Sequence, residues 1–129
     1  MKNKFKLSVS HTEYFINPAK KTVTCKMKFG LDGPEQAMRL FYDYMYQYDQ
    51  SMIDNEVVAT AKLKPGDEFD ENVGMKIARA KAESLMYRRT GRAMYRFGRY
   101  LANALANAQD MLEKSVCVID HNDKYLSKF

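Results

Sequence analysis

No apolar run in this 129-residue chain approaches the ~20 residues a bilayer span requires, so no membrane helix is expected. The opening, MKNKFKLSVSHTEYF, is basic but holds no apolar core, which argues against a signal peptide and for a cytoplasmic protein. Cysteine is scarce. Cys25 and Cys117 both sit in alternating apolar segments, with no second Cys or His at ligand spacing, so no zinc site is expected and both are read as reduced, buried thiols. The two histidines, His11 and His121, stand apart from any Ser, Cys or Asp pattern that a triad needs, and read as exposed turn residues. Glycine is sparse too: Gly66, Gly74, Gly91 and Gly98 are too dispersed to cradle a phosphate. Repeats and low-complexity linkers are missing. The sequence thus predicts one domain with no catalytic constellation, no metal and no cofactor.

What the chain does have is sorted charge. Residues 1–28 carry seven Lys and one Glu, net +6. Residues 29–74 carry three bases and ten acids, net −7. Residues 75–100, MKIARAKAESLMYRRTGRAMYRFGRY, carry eight bases and one acid, net +7, and residues 101–129 are net −1. Concentrated positive charge marks a phosphate backbone or an acidic protein partner.

Periodicity predicts an α+β fold. Phe5, Leu7 and Val9 alternate with polar residues; His11-Thr12 reads as a turn, and residues 13–17 resume the strand. Residues 18–21 read as a hairpin loop, and Val23, Cys25, Met27 and Phe29 give the cleanest alternation. That is an N-terminal meander of three strands. Residues 34–52 predict a helix burying Ala37, Met38, Phe41, Met45, Tyr48 and Met52, with Pro34 in its first turn. Residues 56–63 predict a fourth strand, and Asp70 an N-cap. From residue 71 to 114 the pattern is helical, with Ala82, Met86, Ala93, Phe97, Leu101, Ala104, Ala108 and Met111 on one stripe. Thr90-Gly91 predicts a break into helices 71–89 and 91–114, and Ser115–Asp120 a last strand. The expected architecture is an antiparallel sheet of four to five strands, packed by an N-terminal helix and a long, broken C-terminal helix.

Arg88, Arg92, Arg96 and Arg99 are spaced four, four and three, which places them on one helix flank beside the apolar stripe. With Arg89 and Tyr95 they form the candidate binding site, since arginine forks onto phosphate and tyrosine stacks on single-stranded bases. Three readings stay open: nucleic-acid contact, acidic-protein contact, and pairing with the acidic block 29–74 of the same domain. Tyr42, Tyr44, Tyr46 and Tyr48 go almost round their helix, so some must be surface, and they predict a homodimer or partner interface. The acids Asp67, Glu68, Asp70 and Glu71 read as helix capping rather than a Mg²⁺ site.

Residues 59–82, ATAKLKPGDEFDENVGMKIARAKA, resemble a strand-turn-helix segment of small phage and prophage proteins. The matching positions are Ala61, Pro65, Asp67, Phe69, Gly74, Ile77, Ala78 and Lys81, and Leu63 stands where those proteins often have Cys. The resemblance implies that Pro65 and Asp67 make the turn, Phe69 staples the helix start and Gly74 allows close packing. It implies a phage origin and carries no functional residues over. The expected role is a phage accessory protein that inhibits or modulates a host nucleic-acid-handling complex in the host cytoplasm, as anti-CRISPR proteins do. The alternatives are a direct nucleic-acid binder of phage replication or recombination, and a small virion or assembly component.

Overall fold

A computed structural model describes residues 4–50, 55–64, 66 and 68–129. The elements are β1 (Lys6–Asn17), β2 (Thr22–Asp32), α1 (Glu35–Tyr48), β3 (Glu56–Lys62) and α2 (Glu71–Leu126). The class is α+β with an antiparallel sheet, but the sheet has three strands in the order β1-β2-β3, not four to five. Among the described residues no helix precedes β1; α1 follows the first two strands. Contacts divide the molecule into two units, Met1–Ala93 and Met94–Phe129.

The expected three-strand meander is a two-strand hairpin with a bulge. Val9 pairs with Phe29 but His11 pairs with Lys28, leaving Ser10 as the extra residue, its hydroxyl donating to the Lys28 carbonyl at 3.3 Å. A bulge shifts the side-chain phase by one. Leu7 and Val9 oppose Leu31 and Phe29 before it, and Thr12, Tyr14 and Ile16 oppose Met27, Cys25 and Val23 after it. The apparent turn at His11-Thr12 is this change of phase. The Pro18–Lys21 loop closes the hairpin, with Lys21 in the left-handed region at φ 52°.

The central strand β2 sends Val23, Cys25, Met27, Phe29 and Leu31 into the core, joined by Val57, Ala59 and Ala61 of β3. Each large side chain buried there contributes about 1.5–3 kcal/mol. On α1, Phe41, Tyr44 and Met45 are buried, and Phe41 meets Phe5 at 6.2 Å between ring centroids. Tyr48 is exposed, contrary to expectation, and Met52 lies outside the described residues. Asp70 caps α2 as expected, its Oδ1 accepting from the amides of Asn72 (2.9 Å) and Val73 (3.3 Å). Phe69 is half-buried, while Pro65 and Asp67 lie outside the described residues.

In the first unit α2 buries a ridge of mostly small residues: Gly74, Ala78, Ala82, Met86, Thr90 and Ala93. Four steps of four and a last one of three keep them against the sheet. A Cβ on Gly74 would stand 2.6 Å from Val23 Cγ2, so only glycine allows this approach to β2. Three cations fasten the helix. The Arg79 guanidinium donates to the Tyr14 hydroxyl, which pushes the arginine pKa higher still. Lys81 Nζ donates to the Thr60 carbonyl at 3.2 Å, and Arg89 to the Glu56 carbonyl at 2.8 Å. Eight helical residues rise about 12 Å and four strand residues about 13 Å, so the two cations match two edge carbonyls of β3. They also guard an open sheet edge against strand addition.

α2 is unbroken from Glu71 to Leu126. A lone glycine at 91 costs about 1 kcal/mol relative to alanine, too little to end a long helix. The expected strand at Ser115–Asp120 is helical, and Ser115 Oγ donates to the Met111 carbonyl at 2.7 Å, a bond between residues one helical turn apart. Beyond Phe97 no residue of the second unit is buried, so Leu101, Ala104, Ala108 and Met111 are surface rather than core.

Candidate nucleic-acid or partner interface

The helix sorts the basic block into fasteners and free cations. In the first unit Arg88 and Arg92 are exposed and one turn apart. Among the described residues no acid pairs with either. Arg89 points the other way, half-buried against β3, and is committed to the Glu56 carbonyl. Its place in the candidate site is therefore corrected: it holds the fold. Arg88 also lines an open groove of about 550 Å³ with Lys81, Ser84, Leu85, Ala59 and Thr60. Lys81, not among the expected site residues, is a second groove cation; its spacing of four from Leu85 places both on one helix flank.

In the second unit Arg96 and Arg99 are exposed. The Arg99 guanidinium carbon lies 5.9 Å from the ring centre of Tyr95, itself 65% exposed. An arginine against an exposed tyrosine face is a cation–π pair that leaves the other ring face open for stacking.

Three of the ten acids in block 29–74 are engaged elsewhere. Glu35 pairs with Arg39 at 2.6 Å, Glu56 with Lys26 at 3.5 Å, and Asp70 caps α2. Pairing of this block with Arg88, Arg92 or Arg99 is not found among the described residues. A cleft of about 890 Å³ at the start of α1 is lined by Asp32, Glu35 and Asp43 with Arg39. The described residues hold no group of three His, Cys, Asp or Glu placed to bind a metal.

Of the four tyrosines on α1, Tyr44 is buried and stacks 5.8 Å from Tyr48, so it is removed from the candidate interface surface. Tyr42, Tyr46 and Tyr48 are 51%, 81% and 63% exposed. Cys25 is buried as expected, and desolvation pushes its thiol pKa up; Cys117 is exposed on α2, not buried. His11 lies in β1, not a turn, bonded to Glu13 at 2.8 Å, and this bond holds the Glu13 carboxyl below its ordinary range. His121 is likewise exposed, but on α2. No protein-family model, no curated protein and no solved structure matches this chain.

Proposed function

We propose that this protein is a non-enzymatic phage accessory factor that binds a host nucleic-acid-handling complex through the basic surface of α2. The observation that carries the reading is the pair Arg88 and Arg92: exposed, adjacent, and without an acidic partner among the described residues of a chain that has ten acids between residues 29 and 74. Adjacent unpaired cations repel one another, and an anionic partner relieves that repulsion. Exposed arginine and tyrosine together are the residue types that anchor interfaces. The phage origin rests on the resemblance of residues 59–82. Affinity capture from a host lysate, with and without nuclease, tests the reading. A protein partner retained after nuclease treatment supports it; loss of every partner contradicts it.

The Arg99–Tyr95 pair favours a second reading, direct binding of single-stranded nucleic acid. Anisotropy with a labelled oligonucleotide separates the two. Direct binding would weaken with salt at a log–log slope of about −0.7 per phosphate contacted.

A further inference from the structure

The second unit carries a face that the basic-surface reading does not use. Ten large apolar side chains from Leu101 to Phe129 are more than a third exposed. They are not scattered. Leu105, Leu112, Ile119 and Leu126 recur every seven residues, and Ala104, Met111, Val118 and Tyr125 recur with the same period one position earlier. Leu101, Ala108, Ser115 and Asn122 form the third row. A strict seven-residue repeat is the pattern of a helix that supercoils with another helix.

We propose that residues 101–126 pair with the same segment of a second copy, antiparallel, as a two-helix coiled coil. Two features of the segment select a second copy, and a reversed one. The first is size. One core row is large (Leu105, Leu112, Ile119, Leu126), and the other is mostly small or polar (Ala108, Ser115, Asn122). A parallel copy would stack large on large and then Ser on Ser and Asn on Asn. A reversed copy sets Leu112 against the partner's Ser115, Ile119 against Ala108, Leu105 against Asn122, and Leu126 against Leu101. Three of these four layers then set a large residue against a small or polar one, the end layer pairs two leucines, and all four large residues are covered. Ser115, whose hydroxyl is already satisfied by the Met111 carbonyl, brings no orphan donor into the seam. Asn122 falls in a layer near the end of the paired stretch, within reach of water.

The second feature is charge. Residues 101–129 carry three Lys and four acids. Asp110, Glu113, Lys114, Asp120, Lys124 and Lys128 all fall outside the three rows and their flank, and only Asp123 borders them. Two copies therefore meet without like-charge repulsion across the seam. The flanks that would face each other, Met111 with Val118 and Ala104 with Tyr125, are apolar and widen the contact.

Sedimentation equilibrium of the full chain from 1 to 100 μM tests the pairing. The expected mass is twice the 15.0 kDa of one chain. Leu112→Asp combined with Ile119→Asp should return it to one chain mass. These side chains are 64% and 57% exposed, so the change empties no core of the single chain. A single-chain mass for the wild type throughout, or a dimer untouched by the double substitution but broken by Tyr46→Glu, would overturn the proposal. Orientation is read by disulfides on a Cys117→Ser background. Leu112→Cys mixed with Ser115→Cys should crosslink to each other, whereas Leu112→Cys crosslinking to itself would contradict the reversed pairing.

Discussion

Arg88 and Arg89 are neighbours in sequence with opposite fates. Arg89 satisfies the Glu56 carbonyl from a half-buried position, and a hydrogen bond from a charged donor contributes about 1.5–3 kcal/mol. Arg89→Ala is expected to destabilise by about that amount in urea unfolding. Arg88→Ala should stay within ~0.5 kcal/mol, as exposed substitutions do. Thiol chemistry separates the two cysteines in the same way. Ellman's reagent should titrate one thiol, Cys117, in the native protein and both after denaturation, because Cys25 is sealed and burial keeps it protonated. The two shifted acids act at opposite ends of the pH range. Glu13, lowered from 4.5 by the His11 bond, favours the fold above pH 4.5 and loses that contribution as pH falls through its folded pKa. Cys25, raised from 9.0, contributes fully below pH 9.0 and loses that contribution as pH rises through its folded pKa.

At the scale of elements, the close contact of α2 with β2 hangs on one glycine. Alanine at 74 gains about 1 kcal/mol of helix propensity. It also drives a methyl group into Val23, a stiff branched side chain that is 1% exposed. Overpacking costs about 1–3 kcal/mol, and the clash falls well inside contact distance, so Gly74→Ala should lower the melting temperature. A rise would mean that the helix can move away from the sheet. Strands β2 and β3, α1, the Asp70 cap and the start of α2 were legible from alternation, the 3.6-residue period and capping chemistry. The bulge at Ser10 was not. A phase shift within one strand looks in sequence like two strands and a turn. The run from Ser115 to Asp120 misled for a different reason: β-branched residues favour strands only where a sheet surface can bury them. Here each residue adds a bond to an existing helix instead.

Over the whole molecule, the blocks of charge were visible in the sequence, but their pairing was not. A net of +7 over residues 75–100 does not say which of its cations the fold itself engages. In three dimensions Arg79, Lys81 and Arg89 are spent on Tyr14, Thr60 and Glu56, and Arg88 and Arg92 remain for a partner. Sequence spacing gives the face of a helix but not what packs against it, which is why a fastener and two free cations looked alike. The apolar repeat of residues 101–126 was hidden similarly, because exposed and buried stripes share one periodicity.

The central claim is that Arg88 and Arg92 serve a partner and not the fold. The most direct test is quantitative capture of host-lysate proteins by the wild type and by Arg88→Glu with Arg92→Glu, with both melting temperatures measured. Retained partner is expected to fall at least ~10-fold, with melting within about 2 °C of wild type, in keeping with exposed sites that hold nothing in place. Undiminished capture would contradict it, and so would a large drop in melting temperature.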